Sequence, residues 1–94
     1  MNEKFCIAAF RSRLQVMAYE KLLNGMGVKA SVVTTPRAVA LGCGLSVRFP
    51  PEQLDRARKA LTAMPGGNLI GLYLVERDQL NRTVVRPVHS NPRR

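Results

Sequence analysis

One cysteine, Cys43, stands between two glycines and is flanked by arginines, an arrangement of residue types that could do chemistry. Arg37 lies six residues before Cys43, and Arg48 lies five residues after it. The thiolate is the nucleophilic form of cysteine, and nearby positive charge lowers the pKa of a thiol. The neighbouring Gly42 and Gly44 leave a sulfur sterically accessible. The segment therefore predicts a reactive thiol at Cys43.

Each of these residues also has an ordinary alternative. Cys43 could be a small buried hydrophobe, because free cysteine is among the most buried residue types. Arg37 could be a turn residue and Arg48 a solvated residue on an open sheet face. If the arginines are functional, they would bind an anion such as a persulfide, selenide, phosphate or carboxylate. The only histidine, His89, is distant in sequence, so a Cys–His pair for acyl transfer is poorly supported.

The second cysteine, Cys6, is the candidate for a second thiol. It lies within a predicted strand, which favours a packed residue over a resolving thiol, and a structural disulfide is not expected in a reducing cytosol. One histidine and two cysteines cannot supply a four-ligand zinc site within one chain. We therefore expect no metal, unless two chains share a site, and we expect no cofactor.

The length and composition describe one small domain. With 94 residues, of which 46% are hydrophobic, the chain can bury only a modest core. It contains no apolar run long enough to span a membrane, and the apolar stretch after Lys4 is too short for a signal peptide. We therefore expect a cytoplasmic protein that does not associate with a membrane.

The net charge of +9 is high for this length and is unevenly distributed. Residues 77–94 carry five arginines against one aspartate, and residues 1–76 carry ten basic against five acidic side chains. Such a surface attracts nucleic acid, anionic lipid or acidic proteins, or only aids solubility. We divide the chain into a domain at residues 1–76 and a basic tail at residues 77–94, which is mobile or adds an edge strand.

Hydrophobic periodicity predicts six elements in the order β-α-β-β-α-β. Strands are expected over residues 4–10, 28–34, 44–49 and 68–75. One helix begins at Ser12, which matches a capping box with Gln15, and the second begins after two prolines at residues 50–51. The apolar row of the first helix is expected to contain Leu14, Ala18, Leu22 and Met26, and to be widened by Tyr19 and Leu23.

This order of elements predicts an α+β fold of the ferredoxin-like type. The expected sheet is antiparallel and four-stranded, has both helices on one face, and places the first and third strands at its centre, running parallel. Alternate residues of the first strand share a face, with Cys6, Ala8 and Phe10 on the side away from the helices. Together with Ser46, that side would form a small-residue patch suited to dimerisation. The same arrangement would bring Cys6 and Cys43 to one end of the sheet.

The sequence around Cys43 resembles the family of selenium/sulfur carrier-like domains, a group of small bacterial proteins. The resemblance rests on Pro36-Arg37, Cys43-Gly44 and Arg48-Phe49 in their spacing, between a strand and a proline-acid helix start. Residues 18–23 and 27–28 are similar to the helix and the strand start of the same family. The resemblance covers roughly residues 5–64.

The resemblance implies that Cys43 carries sulfur or selenium as a persulfide or selenosulfide. Arg37 and Gly44 would be its partners in the loop. Gly42 departs from the pattern, since a small hydroxyl residue would be expected at that position. The basic tail from Arg77 onward lies outside the resemblance.

Two hypotheses follow for the function. The first is a sulfur or selenium carrier or thiol-relay domain, in which Cys43 accepts a sulfane sulfur from a donor protein and passes it to an acceptor, without turnover of a small substrate. The alternative is a non-enzymatic regulatory module that dimerises through the open sheet face and binds nucleic acid, through the basic tail, or a small anion. Only Phe10 and Tyr73 are aromatic candidates for stacking on RNA bases, and the usual aromatic- and glycine-rich motif is absent.

Overall fold

Five strands and two helices form the part of the chain that the computed structural model describes, which is residues 3–39, 44–64 and 69–88. The elements are β1 (Glu3–Phe10), α1 (Arg13–Gly25), β2 (Ser31–Thr34), β3 (Leu45–Phe49), α2 (Leu54–Leu61), β4 (Leu69–Arg77) and β5 (Thr83–Val88). One 3-10 turn, Pro51–Gln53, precedes α2. The predicted order β-α-β-β-α-β is confirmed from β1 to β4. Gly42, Cys43 and His89 lie outside the described residues.

The sheet has the strand order β2-β3-β1-β4-β5, and all neighbouring strands are antiparallel. The fold is therefore α+β, but the predicted strand number of four is wrong, because β5 pairs with β4 along its whole length. The prediction that β1 and β3 are parallel is also wrong. The crossover through α1 makes β2 run in the same direction as β1, and β3 returns between them, so it is antiparallel to both.

Both helices pack on one face of the sheet and form the main core. That core contains Cys6, Ala8 and Phe10 from β1, Val16, Tyr19 and Leu23 from α1, and Ala57 and Ala60 from α2. The prediction that this side of β1 faces away from the helices is therefore wrong. Because β1 is apolar on both faces, alternation alone could not tell which face the helices cover.

The proposed dimerisation patch is overturned by the same packing. Ala8 and Phe10 lie buried under the helices, and Phe10 contacts Tyr19 with a distance of 5.3 Å between ring centroids. Ser46 is also buried, but it lies opposite Ala9 in the β1–β3 register and so belongs to the other face. The patch therefore does not exist as one surface, and Phe10 is not placed to stack on a base.

Helix α1 buries only part of the predicted apolar row, including Tyr19 and Leu23. Its fully buried residues are Val16, Tyr19 and Leu23, whereas Leu14 is 80% exposed. The hydroxyl of Tyr19 donates a 2.6 Å hydrogen bond to the carbonyl oxygen of Ala57, and burial raises the pKa of this hydroxyl. A buried tyrosine needs such a partner, which fixes the side of α1 that faces α2. Ser12 stands at the N-cap as predicted, but its side chain makes no capping hydrogen bond within the described residues.

The connection between β4 and β5 is built around Asp78. Its carboxylate accepts hydrogen bonds from the backbone N–H groups of Leu80 and Arg82, both at 2.9 Å, and pairs with the Arg82 guanidinium at 2.8 Å. These donors lower the pKa of Asp78. Asn81 takes a positive φ of 63°, which asparagine tolerates better than most residues. This turn returns the chain along β4 and adds β5 to the sheet.

A second, smaller core lies on the face of the sheet away from the helices. Phe5, Ile7 and Val75 are buried there. Val33, Tyr73 and Val85 pack against them and are partly exposed. Among the helices that the structure describes, none is long and apolar enough to cross a membrane.

Candidate functional site

The β2–β3 loop, residues 35–44, carries the Cys43 segment, and hydrogen bonds close its base. The backbone N–H of Thr35 donates to the carbonyl oxygen of Gly44 at 2.8 Å, which extends the β2–β3 ladder by one step. The hydroxyls of Thr35 and Ser46 share a second hydrogen bond of 2.7 Å. The two ends of the loop are therefore fixed against each other, although Gly42 and Cys43 themselves lie outside the described residues.

The first part of this loop is a tight turn that exposes Arg37. The backbone N–H of Val39 donates to the carbonyl oxygen of Pro36 at 2.9 Å, so that Arg37 and Ala38 occupy the two central positions. Arg37 is exposed. It takes part in no ion pair or hydrogen bond with the residues that the structure describes, which leaves its guanidinium available to a ligand.

Gly44 has a backbone conformation that few other residues adopt. Its φ is +86°, and a Cβ added at this position would meet open space. We expect Gly44→Ala to lower the free energy of unfolding by about 1–2 kcal/mol, through backbone strain alone. A urea titration of the variant and the parent chain measures this difference.

Gly25→Ala is the matched control for this substitution. Gly25 ends α1, has no positive φ, and also has open space around the position of a Cβ. There the added methyl group should be neutral or stabilise by up to about 1 kcal/mol. Equal effects at both positions would contradict the left-handed conformation of Gly44.

Arg48 lies on β3 and points to the sheet face away from the helices. It is opposite Ile7 in the β1–β3 register. Its Nη2 is 3.0 Å from Oε2 of Glu3, and its guanidinium lies 4.0 Å above the ring of Phe5. These contacts fix the guanidinium by an ion pair and a cation–π interaction. Its charge is therefore partly compensated by Glu3, unlike that of Arg37.

A third arginine, Arg77, completes the cluster, and sequence reasoning missed it. Its Nη1 is 3.1 Å from Oε1 of Glu3, so this single carboxylate bridges Arg48 and Arg77. Glu3 and Arg77 are direct cross-strand partners in the β1–β4 register. By sequence, Arg77 begins the basic tail, and only a correct β1–β4 register reveals its pairing with Glu3.

The arginines line one groove on the face away from the helices, which we call the arginine groove. It has a volume of about 520 Å³. Its apolar lining includes Phe5, Ile7, Val33 and Val85, and its cationic lining is Arg37, Arg48 and Arg77. The structure thus brings the two arginines that flank Cys43 in sequence to the same groove. Such a combination suits an anion that also carries an apolar part.

Cys6 is not part of this site. It is only 1% exposed, lies in the helix-facing core, and pairs with Phe49 at the end of β3 rather than with its start. Burial, and to a lesser extent the negative charge of Glu52, raise the pKa of the Cys6 thiol. The antiparallel arrangement therefore removes the reason for expecting Cys6 beside the β2–β3 loop. A buried, protonated thiol is also a poor nucleophile.

No group of three His, Cys, Asp or Glu side chains that could hold a metal ion occurs within residues 3–39, 44–64 and 69–88. The site that can be built from these residues is cationic, and its chemistry is the binding of anions.

The sequence also matches the model of a known protein family. The family model described as "Putative Se/S carrier protein-like" matches residues 5–66, which is the region from β1 to just beyond α2. No curated protein and no solved structure matches the chain. The match includes the β2–β3 loop but not β4 and β5, so it covers Arg37 and Arg48 but not Arg77.

Proposed function

Since the chain belongs to this Se/S carrier-like family, we propose that it is a cytoplasmic sulfur or selenium carrier that bears its cargo on Cys43. The observation that supports this proposal best is the β2–β3 loop, whose ends are held together by the Thr35–Gly44 hydrogen bond. This bond holds the two ends of the segment that contains Cys43 at one place, the end of the β2–β3 pair. The partners would be one protein that donates sulfur and another that accepts it.

The transfer step needs no oxidant or reductant. The Cys43 thiolate attacks the outer, sulfane sulfur of a donor persulfide, and the bond between that sulfur and the donor sulfur breaks. The donor leaves as a thiolate, and Cys43 becomes the persulfide, so that atoms and charge balance. A selenium atom would follow the same path as a selenosulfide. Delivery to the acceptor is the same reaction in reverse, with the acceptor thiolate as nucleophile.

The arginines would favour the anionic forms in this exchange. Arg37 is exposed and unpaired within the described residues, so it is the cation we assign to the Cys43 thiolate and persulfide. Arg48 would act more weakly, because Glu3 lies 3.0 Å from its guanidinium. Gly42 and Gly44 would allow a partner sulfur to approach closely. A relay through Cys6 is not included, since that thiol is buried.

The proposal is tested by intact mass spectrometry after incubation with a persulfide donor. The parent chain should gain one sulfur atom, which is removed by a reductant. Cys43→Ser should abolish the gain, and Cys6→Ala should leave it unchanged. An adduct that survives Cys43→Ser, or no adduct on a chain whose thiols are shown to be reduced, would contradict the carrier function.

The second candidate is a non-enzymatic binding module for an anionic ligand. It is favoured by the arginine groove and by the net charge of +9, which a carrier thiol does not require. Dimerisation through the Cys6 side of β1 no longer supports this candidate, because that side is buried. If a Cys43→Ser chain replaces the parent chain in a cell without loss of activity, that activity does not depend on the thiol. This result would favour the binding module over the carrier.

A further inference from the structure

The arginine groove crosses the whole sheet. Its lining includes Val33 of β2, Arg48 of β3, Ile7 of β1, Arg77 of β4 and Val85 of β5, one residue from each strand. Neighbouring strands lie about 4.8 Å apart, so four steps span about 19 Å. This is the length of about five or six residues of extended polypeptide. A small anion such as phosphate would fill only a fraction of the groove.

The positive charges are distributed along the groove rather than gathered at one point. Arg37 follows β2, Arg48 lies on β3, and Arg77 lies on β4. Only one carboxylate, that of Glu3, contacts any of them within the described part of the chain. Three cations and one anion leave an excess of positive charge. An occupant with several separated negative charges matches this pattern.

The floor between the arginines is apolar. Val33 and Val85, which are partly exposed, lie near the two edges of the sheet, and the buried Phe5 and Ile7 lie beneath its centre. In an extended chain, successive side chains point to opposite sides, so that apolar residues can face the floor while acidic residues reach the rim. We propose that the arginine groove binds an extended segment of a partner protein in which acidic and apolar residues alternate. Only the identity of that partner, a sulfur donor or acceptor, rests on the proposed carrier function.

A single-stranded nucleic acid fits the groove less well. Proteins bind such strands by stacking bases on exposed aromatic rings. Phe5 is only 7% exposed, and the guanidinium of Arg48 already covers its ring at 4.0 Å. At the centre of the groove, the guanidinium therefore covers the Phe5 ring, so that this ring is not free to stack on a base. This geometry favours the carboxylates of a peptide over bases.

Glu3 acts as an internal competitor for the same arginines. Its two carboxylate oxygens occupy Nη2 of Arg48 and Nη1 of Arg77 at 3.0 and 3.1 Å. A carboxylate of the partner segment binds the remaining guanidinium donors or displaces Glu3. Removing the charge of Glu3 should therefore strengthen binding, an effect that damage to the fold would not produce.

The test uses the full chain and a fluorescent peptide of about eight residues that alternates glutamate and valine. Fluorescence anisotropy gives the dissociation constant, and the same peptide with glutamine in place of glutamate is the neutral comparison. We expect the acidic peptide to bind more tightly, with an affinity that falls as salt is raised. Arg37→Ala should weaken binding about fivefold, and Glu3→Gln should strengthen it by a similar factor.

Arg13→Ala is the matched control, because it removes one positive charge from an exposed position on α1, outside the groove. It should change the affinity by less than about twofold. The proposal would be overturned if both peptides bound equally well, or if Arg13→Ala weakened binding as much as Arg37→Ala. It would also be overturned if a single-stranded oligonucleotide bound more tightly than the acidic peptide and depended on Arg37 in the same way. The Cys43→Ser chain should bind the peptide with the affinity of the parent chain. A loss of sulfur loading on Cys43 can therefore be distinguished from a loss of peptide binding in the arginine groove.

Discussion

In a Cys43→Ser chain, we expect iodoacetamide to alkylate Cys6 at least about a thousandfold more slowly in the native protein than in the unfolded protein. The side chain is 1% exposed and lies beneath the helices, so the reagent reaches it only after the structure opens. Each 1.4 kcal/mol of opening free energy slows the reaction by about tenfold, and a small domain commonly supplies about 5 kcal/mol. Quenched labelling followed by mass spectrometry measures both rates.

The protonation state of Cys6 also slows its alkylation in the native protein. Burial raises the pKa of this thiol, and the negative charge of Glu52 raises it further, so little thiolate is present near neutral pH. Any fast labelling of the parent chain in its native state therefore reports on Cys43. Comparison with a Cys6→Ala chain checks this assignment, since its fast phase should match that of the parent. Rapid labelling of Cys6 in the Cys43→Ser chain would show that β1 turns its other face to the helices.

The order of the elements was predictable because it depends on local patterns. Alternating apolar residues mark β3, and glycine with a positive φ, here Gly27, follows α1. The face of β1 was not predictable in this way, since Phe5 and Cys6 begin two rows that are both apolar. Which row meets the helices depends on the volume that α1 and α2 fill, and this is a property of the assembled core.

The fifth strand was predicted only as an alternative to a mobile tail, for a different reason. Residues 83–88 contain two basic or proline positions and are mostly exposed, so their pattern resembles that of a mobile tail. Their place in the sheet depends on the Asp78 turn, whose hydrogen bonds to Leu80 and Arg82 fold the chain back onto β4. An aspartate whose side chain accepts a hydrogen bond from the backbone N–H of the second residue after it is typical of a turn. Asp78 could therefore have been used to predict a turn after β4.

The candidate site was only partly accessible from sequence. From the sequence, Arg37 and Arg48 were candidate anion-binding residues near Cys43, with an ordinary surface role as the alternative for each, and both line the arginine groove. The bridge from Arg48 through Glu3 to Arg77 joins β3, β1 and β4, and Glu3 and Arg77 are 74 positions apart in the sequence. No local pattern contains that contact, because it arises from the register of non-consecutive strands.

Leu23→Ala should lower the free energy of unfolding by about 2–5 kcal/mol, a large part of the stability of a chain this small. Leu23 is fully buried among the core residues that α1 contributes, so truncation leaves a cavity that the packed surroundings fill only partly. Chemical denaturation followed by circular dichroism gives the change, provided that the variant retains enough folded protein for a native baseline. If it does not, Leu23→Val, which removes less volume, gives a smaller loss of the same sign.

Leu14→Ala is the matched control, because the same side chain is removed from the same helix and the change in helix propensity is the same. Leu14 is 80% exposed, so its truncation should change the free energy of unfolding by no more than about 0.5 kcal/mol. The pair separates the exposed part of the apolar row expected from the sequence, which contains Leu14, from its buried part, which contains Leu23. A larger loss at Leu14 would mean that α1 turns its other side to the sheet. The burial of Tyr19, and with it the hydrogen bond to Ala57 that joins the two helices, would then be wrong as well.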